Sequence, residues 1–148
     1  MKRILVLHGP NLDALGAREP SVYGRVALDD IHRLLEALAA QLGCEVECFQ
    51  TNHEGVLIDA LYAAKGHADG VLLNPGGATH TSVSLRDAVL AAGVPVVEVH
   101  LSNPHAREPF RQTSLISGAA LGVVQGFGPA SYELALRGLV GVLTRDRT

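Results

Sequence analysis

Glu98-Val99-His100 sets a carboxylate and an imidazole two residues apart. On an extended strand such residues share a face, so Glu98 can reach the His100 ring. A carboxylate bonded to one ring nitrogen fixes the tautomer and raises the basicity of the imidazole. The other nitrogen is then available for proton transfer. The plainer reading is a buried, satisfied histidine with Glu98 as a solvated neighbour. Tyr23 is a second candidate, in the stretch that carries Arg18-Glu19-Pro20 and Tyr23-Gly24. A phenol of ordinary pKa, ~10, is a poor base at neutral pH. A nearby guanidinium such as Arg18 stabilises the phenolate, and bringing the pKa two to three pH units lower takes roughly 3–4 kcal/mol. Taken alone, a loop tyrosine more often just packs.

Asn74-Pro75-Gly76-Gly77 offers an amide that both donates and accepts, beside two glycines that let a ligand approach the backbone. Thr79-His80-Thr81-Ser82 then leads into a helix N-terminus, which favours anionic or hydroxylated ligands. The bland account is a turn followed by a cap from Thr81 or Ser82. Arg107, Glu108 and Arg111 follow His100. With Arg18, His80 and His100 these arginines would form a local basic patch for an anion, and the alternative is surface pairing of Arg107 with Glu108. Asp87 reads as a solvated charge. No GxSxG elbow is present, which disfavours a serine hydrolase. Gly126-Phe127-Gly128 lacks the third glycine of a dinucleotide fingerprint and the lysine of a P-loop. Seven histidines raise the question of a metal, but no HExxH or similar set occurs. Pairing of His100 with His80 or His53 remains the minor metal reading, and the expectation is no metal and no cofactor.

The elements that must hold these groups follow from hydrophobic period. Residues 3–7, 46–50, 71–73, 94–99 and 121–124 read as apolar strands. Leu28, Ile31, Leu34, Leu35, Leu38 and Leu42 make a helical stripe closed by Gly43. Further helices are expected over 56–64, from the 81–82 cap to 92, and from Pro129 to about 143. Five strand–helix repeats predict a parallel sheet with helices on both faces and right-handed crossovers. Two segments, 9–26 and 101–117, exceed the usual loop length, and both follow the carboxyl end of a strand, where open α/β sheets bind ligands.

The chain of 148 residues fits a single domain, 1–148. Its hydrophobic fraction of 47% suffices for a core built from Val, Leu and Ala, since aromatics are only 4%. A net charge of −3 lacks the basic footprint of a nucleic-acid binder. No apolar run approaches the ~18–20 residues of a membrane span. Met1-Lys2-Arg3 resembles a signal-peptide start, but Gly9-Pro10-Asn11 interrupts the apolar run, so a cytoplasmic protein is expected. Cys44 and Cys48 would stand ~13 Å apart on one strand, beyond disulfide reach, and read as reduced core cysteines.

Taken in order, the blocks resemble type II 3-dehydroquinate dehydratases. They are Gly9-Pro10-Asn11-Leu12, Arg18-Glu19-Pro20 with Val22-Tyr23-Gly24, Asn52-His53-Glu54-Gly55, Asn74-Pro75-Gly76-Gly77 with Thr79-His80-Thr81-Ser82, Glu98-Val99-His100-Leu101-Ser102-Asn103, and Arg107-Glu108 with Phe110-Arg111. The resemblance spans about 3–139 and implies a flavodoxin-like, doubly wound five-stranded parallel sheet in three α/β/α layers. It implies cofactor-free, reversible dehydration of 3-dehydroquinate to 3-dehydroshikimate, in the shikimate (aromatic amino acid) or quinate pathway.

By the same resemblance, Tyr23 is the base, Arg18 its stabiliser and His100 the acid, oriented by Glu98. Asn11 and Arg107 are active-site supports. Asn74 would hold an ordered water at the enolate and, with His80 and Arg111, contact ring hydroxyls; Leu101 and Ser102 would hold the carboxylate. Asp87 would reach in from a neighbouring subunit of a homododecamer, a tetramer of trimers. The sequence departs from the commoner family pattern at His8, where asparagine is frequent, and at Asp13-Ala14, Ala78, Pro104, Pro109 and Gln112. These departures bear on pocket shape and lid motion, and none removes a named catalytic group. The competing class is a non-catalytic binding or signalling module on the same fold. A receiver would need an acidic cluster after the first strand, where His8-Gly9-Pro10 stands, and a flavin binder would need a Ser/Thr-rich phosphate loop there.

Overall fold

Five apolar strands alternate with helices in the computed structural model, which describes residues 1–17, 19–23 and 25–145, with Pro20 and Tyr23 described by their backbone only. The strands are β1 (Lys2–His8), β2 (Cys44–Gln50), β3 (Gly70–Asn74), β4 (Val96–His100) and β5 (Gly122–Gln125). All pair in parallel, in the order β2-β1-β3-β4-β5. That is the flavodoxin-like doubly wound order, with its switch point between β1 and β3. The helices are α1 (Pro20–Tyr23), α2 (Leu28–Leu42), α3 (Glu54–Ala64), α4 (Val83–Ala91) and α5 (Ala130–Arg145). None is long and apolar enough to cross a membrane among the described residues.

The pleat divides the core in two. Ile4, Val6, Leu72, Val97 and Val99 meet α2 and α5, including Ile31, Leu35, Leu136 and Leu139. Leu5, Leu7, Val71, Leu73 and Val96 meet α3 and α4, including Leu57, Leu61, Leu85 and Val89. Each face of the sheet is therefore covered by a helix pair, giving the three-layer sandwich. The period-2 alternation decides which face each strand-end side chain joins. His8 and Asn74 fall with the α2/α5 residues, whereas Glu98 and His100 fall with the α3/α4 residues.

Several boundaries differ from the sequence reading for local reasons. Leu34 is exposed because, at 100° per residue, it lies roughly 80° from the centre of the α2 stripe. β4 starts at Val96, two residues later than expected, because Pro95 has no N–H for the ladder. The Pro95 carbonyl still accepts from Val71 N–H at 2.9 Å. Ser82, rather than Thr81, caps α4, its hydroxyl accepting from Leu85 N–H at 2.9 Å. Gly43 closes α2 in the left-handed region at φ 71°, as expected. The long 101–117 segment holds short 3-10 turns at Pro104–Ala106 and Pro109–Arg111, and a third turn at Ser117–Ala119 leads to β5. Both cysteines are free; Cys44 is buried and Cys48 partly so.

Two glycines let the β1 and β3 exits touch. Gly9 N–H donates to the Asn74 carbonyl at 2.7 Å, and a Cβ on Gly9 would stand 2.6 Å from the Pro75 carbonyl oxygen. Gly76 sits at φ 60°, where a Cβ would meet the Pro10 oxygen at 2.9 Å. Both obstacles are backbone atoms and cannot swing aside. Gly9→Ala should therefore lose about 1–3 kcal/mol of stability, as overpacking does, measured by urea denaturation. An unchanged midpoint would show that the two exits separate at little cost.

Candidate active site

Glu98 is fully buried and accepts from four side chains. His100 Nε2 lies 2.5 Å from its Oε2, and the Thr79 hydroxyl donates to the same oxygen at 2.7 Å. The Ser117 hydroxyl donates to Oε1 at 2.5 Å, and the Ser114 hydroxyl lies 3.0 and 3.1 Å from the two oxygens. Four donors match the roughly four acceptor sites of a carboxylate. Burial by itself would raise the Glu98 pKa. The His100 bond and attraction, with the Ser117 and Thr79 hydroxyls, more than offset it and hold the carboxyl below its ordinary value. Glu98 is thus an ionised, buried group, and the reading of it as a solvated neighbour does not hold.

A carboxylate only accepts, so His100 Nε2 carries a hydrogen. Nδ1 is then the ring nitrogen left for proton exchange, with no bond to it among the described residues. The i, i+2 spacing on β4 is what brings the pair together. Ser114 also accepts from Ile116 and Ser117 N–H, both at 3.0 Å, which ties the Ser117–Ala119 turn to the carboxylate.

The cleft opens at the carboxyl edge of the sheet. Asn74, His80, His100, Leu101, Ser102 and Arg111 all line it, together with Arg107 and the Gly76-Gly77 backbone. The sequence expectation for these residues therefore converges in space. Leu12 lines the cleft beside them, whereas Asn11 is exposed and its N–H donates to Asn52 Oδ1 at 2.9 Å. Asp87 is exposed on α4 and lines none of this cleft. Within one chain it is not part of the site. Beyond His100 a second cavity of about 340 Å³ shares His80, His100, Pro104 and Arg111 with the first.

The basic patch exists but is partly offset by acids. Arg111 Nε lies 3.0 Å from Glu108 Oε2, and Arg107 lies 3.8 Å from both Glu108 and Glu19. The Arg111 bond is the first cause holding Glu108 below the usual carboxylate range. His80 Nδ1 donates to the Thr113 carbonyl at 2.8 Å, which fixes the orientation of the ring. Arg18 and Gly24 lie outside the described residues, as does the Tyr23 side chain. α1 ends at Tyr23, in the segment that leaves β1.

Some residues of the site escaped sequence reasoning. Thr79 was legible only as part of a turn, and Ser114 and Ser117 carried no signal at all. Behind Asn74, the Tyr132 hydroxyl bonds Asn74 Nδ2 at 3.0 Å and His8 Nδ1 at 2.8 Å. His8 Nε2 in turn lies 3.0 Å from His32 Nε2. Among the described residues, ligand atoms of His8, His32 and Cys48 lie within 4.8 Å of one another, a spacing that could meet a cation. That cluster differs from the His100, His80 and His53 set considered from sequence.

The fold and the convergent groups define an acid–base site at the switch edge of a doubly wound sheet. The model of the family described as dehydroquinase class II matches residues 2–140. A 3-dehydroquinate dehydratase of Geotalea daltonii is 56% identical over 137 residues, covering 93% of this chain and 95% of the relative. One of Desulforudis audaxviator is 53% identical over 145 residues, covering 98% and 97%. The crystal structure of a type II dehydroquinase from Propionibacterium acnes superposes with a TM-score of 0.92 at 39% identity, covering 95% and 97%. The chain belongs to the class II dehydroquinase family.

Burial pushes His8 down to about 3, and the neighbouring His32 acts in the same direction. A histidine lowered on folding stabilises the native state above its unfolded value, near 6.5. That contribution, at most a few kcal/mol, is lost as pH falls from about 6.5 towards about 3. In His8→Asn, chemical denaturation across this window should therefore show a shallower decline than in the wild type. Parallel pH curves would contradict a neutral, buried His8.

Proposed function

We propose that this chain is a hydro-lyase, a type II 3-dehydroquinate dehydratase. It removes water reversibly from 3-dehydroquinate to give 3-dehydroshikimate, through an enolate and with anti geometry. The observation that carries the reading is the buried Glu98–His100 pair, set in the floor of a cleft on a chain of the dehydroquinase family. The step belongs to the shikimate or quinate pathway, whose shared chemistry needs no cofactor.

In this reading Tyr23 is the base. Its phenolate takes the proton from carbon 2, next to the ketone, and Arg18 stabilises the phenolate and the charge nearby. The electron pair left on carbon 2 delocalises onto the ketone oxygen as an enolate, beside a water that Asn74 helps to hold. Collapse of the enolate breaks the bond from carbon 1 to its hydroxyl, and His100 supplies the proton that makes it water. Glu98 orients the ring and offsets its positive charge while it carries that proton. Base and acid must stand on opposite faces of the substrate ring, which suits groups drawn from the segment after β1 and from the end of β4. The backbone of Leu101 and Ser102 receives the carboxylate, while Asn74, His80 and Arg111 contact ring hydroxyls. Asn11 and Arg107 support the site.

The whole of 1–148 forms one cytoplasmic catalytic domain that assembles as a homododecamer, a tetramer of trimers. In that assembly Asp87 reaches the site of a neighbouring subunit. The family resemblance supports this assembly, as does the exposed position of Asp87 outside its own chain's cleft.

The product is a conjugated enone, so ultraviolet absorbance should rise when folded protein meets 3-dehydroquinate. No rise would sink the dehydratase reading. Tyr23→Phe should lower kcat by at least ~10²-fold, the range of a lost general base. Turnover near the wild-type rate would remove Tyr23 from the role even if the activity stands.

A further inference from the structure

The polar groups behind Asn74 form a chain whose direction is set at one end. A backbone N–H can only donate, so the 3.1 Å contact from Gly76 N–H identifies Asn74 Oδ1 as the acceptor. Asn74 Nδ2 must then be the atom 3.0 Å from the Tyr132 hydroxyl, and it donates. The Tyr132 oxygen accepts that hydrogen, so its own goes to His8 Nδ1 at 2.8 Å. A neutral His8 with a lone pair on Nδ1 carries its hydrogen on Nε2, which faces His32 Nε2 at 3.0 Å. His32 Nδ1, on the outer side of that ring, lies 4.0 Å from Asp29 at the surface. Every link thus donates outward, from the β3 exit to α2.

Placement makes this more than a satisfied core. His8 and Asn74 are register partners at the ends of β1 and β3, the two strands that flank the switch point. Tyr132 and His8 are fully buried and Asn74 nearly so, while the Asn74 side of the chain opens into the cleft. With Oδ1 bonded to Gly76 and one Nδ2 hydrogen bonded to Tyr132, the second amide N–H is the donor that Asn74 has left for the cleft. A reversed amide would set Oδ1 against Tyr132, and Gly76 N–H would then face an NH₂ group, donor against donor.

We infer that Tyr132, backed by His8 and His32, is a positioning residue that holds Asn74 as a hydrogen-bond donor to the oxygen forming at the substrate ketone, directly or through one water. The inference rests on the dehydratase reading for the identity of that oxygen. The chain's own polarity does not depend on it. The same polarity bears on the cation site that the ligand spacing would allow. A cation on His8 Nε2 would displace the hydrogen that the chain places there and turn Tyr132 O–H away from His8. Cys48, the third group, has its thiol pushed up to about 12, by burial first and then by Glu36 and Glu47.

The test combines kinetics with a readout that needs no turnover. Tyr132→Phe keeps the ring and removes the hydroxyl. Its kcat should fall about 10-fold or more with KM nearly unchanged, because the donor matters most where charge develops. His32 does not touch Asn74, so a transmitted effect is separable from local damage. His32→Leu, which leaves His8 Nε2–H without its acceptor, should lower kcat several-fold. His32→Gln offers an oxygen acceptor and should recover most of that loss. Histidine ¹⁵N NMR of the wild type should show His8 protonated on Nε2 and unprotonated on Nδ1. The inference is overturned by a folded Tyr132→Phe with wild-type kcat, by identical His32→Leu and His32→Gln rates, by an Nδ1–H tautomer at His8, or by saturable zinc binding that Cys48→Ser abolishes. A wild-type protein that leaves 3-dehydroquinate unchanged would sink the dehydratase reading, while the NMR result would still decide the chain.

Discussion

A carboxylate kept ionised inside the protein is the constraint on which the site depends. Burying an unpaired charge is prohibitive, so Glu98 must be surrounded by donors before β4 can end where it does. Those donors come from three places: His100 on the same strand, Thr79 after β3, and Ser114 and Ser117 before β5. Satisfying one charge therefore draws together segments that are distant in sequence. The 3-10 turn at Gly76–His80 and the approach to β5 are fixed on the same two oxygens. In return the His100 ring is held in one orientation beside the cleft.

The β1/β3 edge answers to a different constraint, close backbone approach. Gly9 and Gly76 permit contact between the two exits that no side chain would allow, and the Gly9 bond to the Asn74 carbonyl closes it. The side chains at that edge divide by the pleat. Asn74 goes to the α2/α5 face, where Tyr132 and His8 meet it, and His100 goes to the opposite face with Glu98. The cleft lies where the two faces run out, so it can recruit groups from both sides of the sheet. This is how a scaffold with a continuous apolar core carries two separate buried polar networks at one edge.

The fold was largely legible because its signals are local and repeated. Apolar strands, one strong helical stripe and terminating glycines recover the element order, and strand–helix alternation recovers the parallel sheet. What sequence blurred were boundaries set by single atoms: the missing N–H of Pro95, the choice of Ser82 over Thr81, and the marginal angle of Leu34. Within the site, Glu98 and His100 were readable because strand periodicity alone places them side by side. Thr79, Ser114 and Ser117 were not, since a hydroxyl's partner depends on tertiary placement, and nothing local distinguishes a serine aimed at a buried carboxylate from one facing water. Tyr132 was equally silent, a single aromatic residue on an otherwise ordinary amphipathic helix. Tyr23 and Arg18 rest on the resemblance of their block.

The ionised state of buried Glu98 is most directly tested by ¹³C NMR of its side-chain carboxyl, assigned with Glu98→Gln and followed as pH falls. A carboxyl lowered on folding stabilises the native state above its ordinary value, near 4.5, and that stability is lost as pH falls through the folded value. The predicted result is a Glu98 resonance still at the ionised position at pH 4.5, moving towards the protonated position only at lower pH. A resonance that titrates at or above 4.5 in the folded protein would mean that burial outweighs the four donors, and would contradict a charged Glu98 as the anchor of His100.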